Sequence, residues 1–323
     1  MNRNTWKYSV TLTGIFLVIW LQAGCAPEGD IQKQTRFLMD TYCTIQIPGD
    51  VEVLKAIEAA FDRMEEVDRH FNVLDSTNAL YRFNHFSESI SDEEILALID
   101  IALRVSDESD GAFDVTIYPL IERWGFFNET PSLPDKKEVQ KFLEYIGYTN
   151  LVLEDGRLVK HDRRVQIDLG GIAKGYAIKE ALRVLKELQI ESALIDAGGD
   201  IYALGKLNGK PWNIGVRNPR GEGVIGVLEV SDMAVVTSGD YERFFEVDGV
   251  KYHHLLDPKT GYPADGLTSV TVISSDPVLA DAWSTALFVM GKEKGFPLTE
   301  QRSDLKTIMI TTEGEIISSS DID

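Results

Sequence analysis

Apolar and polar residues alternate in several segments of the 323-residue chain, and in other segments the apolar residues recur at helical spacing. The alternating segment 41–47 predicts a strand that Pro48-Gly49 closes. Cys43 lies within it, which favours a core position over a catalytic one. Further strand-like segments are 151–153, 165–169, 192–195, 201–204, 212–216, 224–230 and 234–237.

Helical spacing is clearest at 51–71, after a capping residue Asp50, and at 92–106. The segment 109–126 combines a turn, a short strand and a short helix, and 131–140 is a surface linker into another helix. Strands broken by turns, with a few long helices, predict an α+β fold with a mostly antiparallel sheet and flanking helices. We find no long linker and expect one large domain over 35–323.

The N-terminus has the pattern of a targeting segment. Arg3 and Lys7 precede an apolar run at 10–21, which is shorter than the roughly 20 residues that span a bilayer. The run ends in LQAGC at 21–25, which resembles a lipoprotein signal box, although its leucine lies one place further from Cys25 than is usual.

We therefore expect a signal peptide at 1–24, a lipid on Cys25 and a polar tether at 25–34. This would make the protein an exported lipoprotein, anchored on the periplasmic side of the inner membrane. An ordinary signal peptide or a short anchor helix is the alternative. Cys43 is the only other cysteine, so an internal disulfide in the mature chain is excluded.

Charge limits the classes of partner. With 52 acidic and 32 basic residues the formal net charge is −20, which argues against a nucleic-acid binder. Hydrophobic residues make up 44% of the chain, enough for a globular core. A phosphate-ester substrate would need a local counter-charge, such as a divalent cation.

The segment IDLGGIAKGYAIKEAL at 167–182 predicts a strand, a double glycine and a helix. Its glycines fit neither the dinucleotide fingerprint nor a Walker loop. Asp168 ends the strand, Gly170-Gly171 allow close backbone approach, and Lys174 lies in the first helical turn. A helix N-terminus with a lysine attracts phosphate. Glycines used only for tight packing are the alternative.

The segment ADAWSTALFVMG at 280–291 predicts a buried helix in which Asp281 and Thr285 share a face. A carboxylate and a hydroxyl on one face suit Mg²⁺, although Asp281 could instead cap the helix. In the segment 252–266, His253 and His254 are adjacent on a predicted strand and point to opposite faces, which argues against a shared zinc. One of them could face a phosphate or transfer a proton, or be structural.

Five motifs occur in order: GAFD from Gly111, DLGGIAKGYA from Asp168, DAGGD from Asp196, HLLDPKTG from His254 and DAWSTA from Asp281. Together they resemble the FAD:protein FMN transferase (ApbE) family over about residues 36–310. The resemblance implies an ApbE or T-fold-like domain. It also implies a Mg²⁺-dependent enzyme that moves the FMN part of FAD to a Thr or Ser hydroxyl of an acceptor protein, releasing AMP.

The resemblance also implies roles for individual residues. His254 matches a histidine near the transferred phosphate and would aid proton transfer or orient the pyrophosphate. Leu74 stands where the family often has an aromatic residue, which affects how the flavin is held. The implied metal ligands are Gly171, through its backbone carbonyl, Asp281 and Thr285, and the implied flavin-site residues are Met39, Leu74, Ala112, Phe113, Asp114, Asp168, Lys174 and Leu255.

The implied acceptor is a flavoprotein subunit of a membrane redox complex. Two alternatives stay open at this stage. A Mg²⁺-dependent FAD pyrophosphatase would use water in place of the acceptor hydroxyl, and a non-catalytic lipoprotein would only bind flavin. An intact pair of Asp281 and Thr285 speaks against the second, since storage needs no metal.

Overall fold

The computed structural model describes residues 30–86, 88–127, 131–320 and 322. Within these residues the strands are β1 Ile31–Leu38, β2 Thr41–Pro48, β3 Leu151–Glu154, β4 Arg157–Lys160, β5 Ala193–Ala197, β6 Asp200–Leu204, β7 Trp212–Arg217, β8 Val224–Val230, β9 Met233–Gly239, β10 Phe244–Val247, β11 Val250–His253, β12 Leu267–Ser274, β13 Lys306–Thr311 and β14 Ile316–Ser318. The α-helices are α1 Leu54–Phe71, α2 Ala79–Phe86, α3 Glu93–Glu108, α4 Tyr118–Trp124, α5 Lys136–Leu143, α6 Ala173–Glu187 and α7 Pro277–Thr299.

A large antiparallel sheet is the centre of the described fold, with strand order β1-β2-β5-β6-β9-β12-β13-β14. Three two-stranded ribbons, β3–β4, β7–β8 and β10–β11, accompany it. The predicted α+β class with a mostly antiparallel sheet is confirmed, because neighbouring strands pair antiparallel throughout the described chain.

The central strands are buried on both faces. In β9, Ala234 and Val236 belong to the main core, whereas Val235 between them belongs to a second core with Trp212 of β7. Successive strand residues point to opposite faces. Helices α6 and α7 pack on one face, and the apolar side chains of the β7–β8 ribbon pack on the other. Double coverage explains why all eight residues of β12 are buried.

Helix positions agree closely with the sequence pattern. The helix predicted at 51–71 begins as a short 3₁₀ turn at Val51–Val53 and continues as α1. The helix predicted at 92–106 is α3, and Asp92 caps it by accepting a hydrogen bond from the backbone N–H of Ile95 at 3.0 Å. None of the helices in the described ranges is long and apolar enough to cross a membrane.

Two predicted strands are wrong. Residues 165–169 have no regular secondary structure and form no ladder, because the Asn84 side chain bonds both the N–H and the carbonyl of Ile167 at 2.8 Å. The segment after Gly111 contains no strand either, and Asp114 instead caps the 3₁₀ turn Val115–Ile117. In both cases a polar side chain satisfies the backbone groups that a neighbouring strand would otherwise pair.

The N-terminal boundary differs from the expected one. Strand β1 begins at Ile31, so residues 31–34, which the sequence pattern assigned to the tether, pair with β2. The expected signal peptide and the lipidation site Cys25 lie outside the described residues.

Candidate active site

The site is built where the N-terminus of α6 crosses α7. A Cβ added at Gly175 would lie 2.2 Å from the carbonyl oxygen of Pro277 and 2.8 Å from the Cβ of Asp281. Only glycine permits this approach of the two helices. It allows the Asp281 carboxylate to accept hydrogen bonds from the backbone N–H groups of Gly175, at 2.8 Å, and of Lys174.

Asp281 is a carboxylate held away from water, with 3% of its surface exposed. Burial raises its pKa first, and the negative charge of Asp200 raises it further, whereas Lys174 lowers it. Such a desolvated carboxylate would be stabilised by a cation bound beside it.

Thr285 lies one helical turn after Asp281, and its hydroxyl is 3.3 Å from that of Ser238 in β9. A Cβ at Gly171 would lie 3.8 Å from Oγ1 of Thr285 and 3.1 Å from the Phe113 ring. The structure therefore brings Gly171 close to Thr285, on the helix that carries Asp281. A carboxylate, a hydroxyl and a backbone carbonyl are the hard oxygen ligands that Mg²⁺ prefers.

The described residues contain no group of three or more His, Cys, Asp or Glu side chains placed to share a metal. A cation at this site would thus depend on the hydroxyl and the carbonyl as well as the carboxylate. The chemistry of the donor set fits Mg²⁺, which commonly keeps water and substrate oxygens among its ligands.

Lys174 extends from the first turn of α6 to an ion pair with Asp200 at the start of β6. The Asp200 side chain is almost fully buried, with 1% exposed, and the Lys174 side chain is mostly covered. Burial disfavours the charged lysine, but Asp200 and then Asp281 outweigh it, so the pKa of Lys174 is raised. The site thereby holds a permanent positive charge near Asp281.

His254 directly follows β11 and is fixed by the backbone of Arg243. The Arg243 carbonyl oxygen accepts from the backbone N–H of His254 at 3.0 Å and lies 3.2 Å from its Nδ1. Because a carbonyl can only accept, this contact places the proton on Nδ1 and leaves Nε2 with a free lone pair. Burial, aided by the Arg243 charge, lowers the pKa of His254 to about 3, so its ring is neutral at pH 7.

The two histidines have different roles, as their alternation on the strand predicts. His253 is buried, and its Nε2 lies 3.0 Å from the carbonyl oxygen of Ala264. It packs edge-to-face against Phe288 of α7. His253 is therefore structural, and His254 is the member of the pair that faces the site.

Asp168 lies in the loop before α6. Its backbone N–H donates to the Val115 carbonyl at 2.8 Å, and its carboxylate accepts from the N–H groups of Leu169 and Gly170. Burial raises the pKa of Asp168 to about 6, against the opposing effect of these hydrogen bonds. The loop thus carries a second desolvated carboxyl group beside the double glycine.

The predicted flavin segment 112–114 is buried. Phe113 packs beside Gly171, as the Cβ distance above shows. The Asp114 carboxylate is occupied by internal bonds, accepting from the hydroxyl of Thr116 at 2.6 Å and from the N–H of Tyr148 at 2.7 Å. Its side chain therefore secures the loop that carries Phe113, and burial raises its pKa.

The other predicted flavin residues differ in how far they are exposed. Met39 occupies the tight turn between β1 and β2 with a left-handed backbone (φ 51°), and its N–H donates to Asp68 at 3.2 Å. Leu255 is buried beside His254, whereas Leu74 has 55% of its surface exposed. An exposed leucine offers a ring system an apolar edge but no aromatic face.

Sequence reasoning missed several residues of this site. The DAGGD motif contains Asp200 but indicates no role for it, which its buried ion pair with Lys174 reveals. Arg243 acts on His254 through its backbone carbonyl, which no side-chain pattern signals. Glu242, next to Arg243, is exposed, and its charge interacts with that of Lys174.

The family model of the ApbE family matches residues 39–309, and the chain belongs to this family. The expected resemblance is therefore confirmed.

Comparisons with individual relatives support membership of the ApbE family. The FAD:protein FMN transferase of Treponema pallidum (strain Nichols) is 31% identical over 337 residues, which cover 96% of this chain and 93% of the relative. A protein of the same name from Klebsiella pneumoniae (strain 342) is 38% identical over 231 residues, 70% of this chain and 72% of the relative. The ApbE protein of Thermotoga maritima has a TM-score of 0.85 and 37% identity, covering 90% of this chain and 97% of that structure.

Proposed function

We propose that this protein transfers the FMN part of FAD to a Thr or Ser hydroxyl of an acceptor protein and releases AMP. The observation that carries the proposal is the juxtaposition of an oxygen-ligand set, Gly171, Asp281 and Thr285, with a cationic Lys174 on the same helix crossing. Relatives that align over most of the chain are named FAD:protein FMN transferase, which supports the same reaction.

In this reaction the acceptor oxygen forms a bond to the phosphorus of the FMN half, and the bond from that phosphorus to the AMP oxygen breaks. Catalysis of this kind depends on positioning and charge stabilisation. Bound Mg²⁺ would neutralise the pyrophosphate and stabilise the leaving AMP oxygen. Gly171, Asp281 and Thr285 would hold the ion, and Lys174 would add its positive charge to a protein whose net charge is −20.

His254 is suited to receive the proton of the acceptor hydroxyl. Its Nδ1 proton is directed to Arg243, so Nε2 is the free acceptor, and the ring is neutral at pH 7. A positioned base of this type contributes about 10²–10⁴-fold to a rate. A pKa of about 3 is well below the value that suits a base at pH 7, so this role requires the bound phosphate groups to raise the pKa of His254.

The flavin ring would be held by the buried segment 112–114, with Met39, Asp168 and Leu255 around it. Leu74 offers the ring no stacking partner, so retention of flavin should depend more on the phosphate end of the site. The expected lipid anchor on Cys25 would place the domain at the membrane surface, where a flavoprotein subunit of a redox complex is a suitable acceptor.

The proposal is tested by measuring AMP release from FAD and flavin attachment to an acceptor, with and without Mg²⁺. We expect Asp281→Asn to reduce AMP release by about 100-fold or more, because the buried ligand loses its charge. Excess Mg²⁺ should not restore the rate.

The matched control is Asp276→Asn on the same helix. Asp276 caps α7 by accepting from the N–H of Val278 at 2.9 Å, which an asparagine can also do. Its carboxylate also pairs with Lys179 of α6 at 3.0 Å, but a partly exposed pair contributes little, so AMP release should stay within about twofold of the parent. Full activity in Asp281→Asn would exclude the proposed ligand set.

A further inference from the structure

Lys174 is placed between two buried carboxylates. Its backbone N–H donates to Asp281, while its side-chain ammonium pairs with Asp200. The Asp281 carboxylate also attracts this ammonium. The ammonium is therefore within the electrostatic reach of Asp281 but is held elsewhere.

The turn before β6 fixes Asp200 in this position. Gly198 and Gly199 adopt left-handed backbone angles (φ 69° and 99°), which glycine tolerates. The Gly199 N–H donates to Asp196 at 2.8 Å, and the Gly198 N–H donates to the Tyr42 carbonyl at 3.2 Å. Because Asp200 is buried and its turn is bonded on both sides, its carboxylate is a rigid partner for the lysine.

We propose that Asp200 is a positioning residue: it holds the Lys174 ammonium away from Asp281, so that Asp281 stays available to a divalent cation. This inference rests on the proposed metal site. Without the pair, a buried lysine would carry an uncompensated charge, which is costly. It would then turn to another carboxylate of the site, and Asp281, which already accepts from the backbone N–H of Lys174, lies within its electrostatic reach.

Without Asp200, Lys174 and the cation would compete for the Asp281 carboxylate. A lysine bonded to Asp281 would occupy the place of the cation and neutralise its carboxylate ligand. With Asp200 present, the lysine ammonium is bonded to Asp200 and the Asp281 carboxylate is left for the metal.

Binding of Mn²⁺ to the full chain without FAD, measured by electron paramagnetic resonance, tests the inference independently of activity. We expect Asp200→Asn to weaken Mn²⁺ binding about tenfold or more, as losses around metal ligands commonly do. In the double variant Asp200→Asn with Lys174→Met, the competing ammonium is gone, and binding should return to within about threefold of the parent.

The control is Asp196→Asn, a change in the same turn that keeps an acceptor for the Gly199 N–H. It should leave Mn²⁺ affinity unchanged. Lys174→Met alone should bind Mn²⁺ as tightly as the parent or more tightly, which tests the same idea if Asp200→Asn does not fold. Thermal unfolding of every variant shows which of them fold.

The outcomes distinguish the role of Asp200 from the existence of the metal site. Unchanged Mn²⁺ binding in Asp200→Asn, alongside loss in Asp281→Asn, would overturn the role of Asp200 and leave the metal site standing. Weak binding that Lys174→Met does not restore would overturn it as well. If the parent binds no Mn²⁺, or if Asp281→Asn binds it normally, the metal site itself is wrong.

Discussion

Burial sets the charge state of the main residues of this site. His254 is kept neutral, Lys174 is kept charged, and Asp168 and Asp281 are ionised only at a cost. Desolvation favours the neutral form in each case, and only Lys174 has a partner that overcomes it. Ionising the two buried carboxyl groups costs free energy, and a bound cation or substrate that compensates their charge would recover it.

Asp168 gives a prediction about stability and pH. Burial raises its pKa from 3.8 to about 6 in the folded protein, so its contribution to stability is complete below about pH 3.8 and is lost as the pH rises through about 6. Asp168→Asn cannot ionise and should be more stable than the parent above pH 7, by about 1–3 kcal/mol. Urea unfolding between pH 4 and pH 8 measures this.

The gain in Asp168→Asn should shrink as the pH falls towards 4. A stability difference that is the same at both ends of this range would show that the carboxyl group is not desolvated as described. The same variant should bind FAD more weakly, if Asp168 contacts the flavin as the family resemblance implies.

Residue roles could be predicted from sequence only where the chemistry lies in a side chain at a regular spacing. Asp281 and Thr285 are four residues apart on a helix, and the structure places Thr285 beside Gly171. The role of Arg243 lies in its carbonyl, and that of Asp200 in a partner 26 residues away. Neither contact follows from local spacing.

At the scale of elements, the crossing of α6 and α7 decides the geometry of the site. The N-terminus of α6 points its free N–H groups at the Asp281 carboxylate of α7, which is a favourable arrangement for a negative charge. The approach depends on Gly175, because any side chain there would meet the backbone carbonyl of Pro277.

Gly175→Ala should therefore destabilise the protein by about 2–3 kcal/mol, since a backbone contact cannot be relieved by a rotamer change. It should also weaken Mn²⁺ binding, because Asp281 would be displaced. The matched control is Gly226→Ala in β8, where an added Cβ meets no atom within 4 Å. Urea unfolding that shows equal stability for the two variants would contradict the close crossing.

The elements themselves follow from sequence to different degrees. Amphipathic α1 and α3 match their predicted ranges, because their apolar spacing reflects a single buried face. Residues 165–169 look like a strand by composition but pair with the Asn84 side chain. An apolar run indicates that a segment is buried. Whether the segment forms a β-ladder depends on which groups its backbone bonds to.

At the scale of the whole molecule, one sheet carries the site from several distant parts of the chain. Asp200 begins β6, Ser238 lies in β9, and α7 packs on β9 and β12. The order of the strands brings these elements side by side, although the pattern along the sequence predicts only that an antiparallel sheet exists. The order itself depends on long-range pairing, which the local pattern does not contain.

The most direct measurement is the intact mass of an acceptor protein after incubation with the full chain, FAD and Mg²⁺. The acceptors are purified flavoprotein subunits with an exposed Thr, each paired with a Thr→Val version. We predict a mass gain of one FMN moiety on the Thr form, none on the Val form, and an equal amount of AMP. Release of AMP and free FMN with no mass gain on any acceptor would contradict the transferase and indicate hydrolysis of FAD.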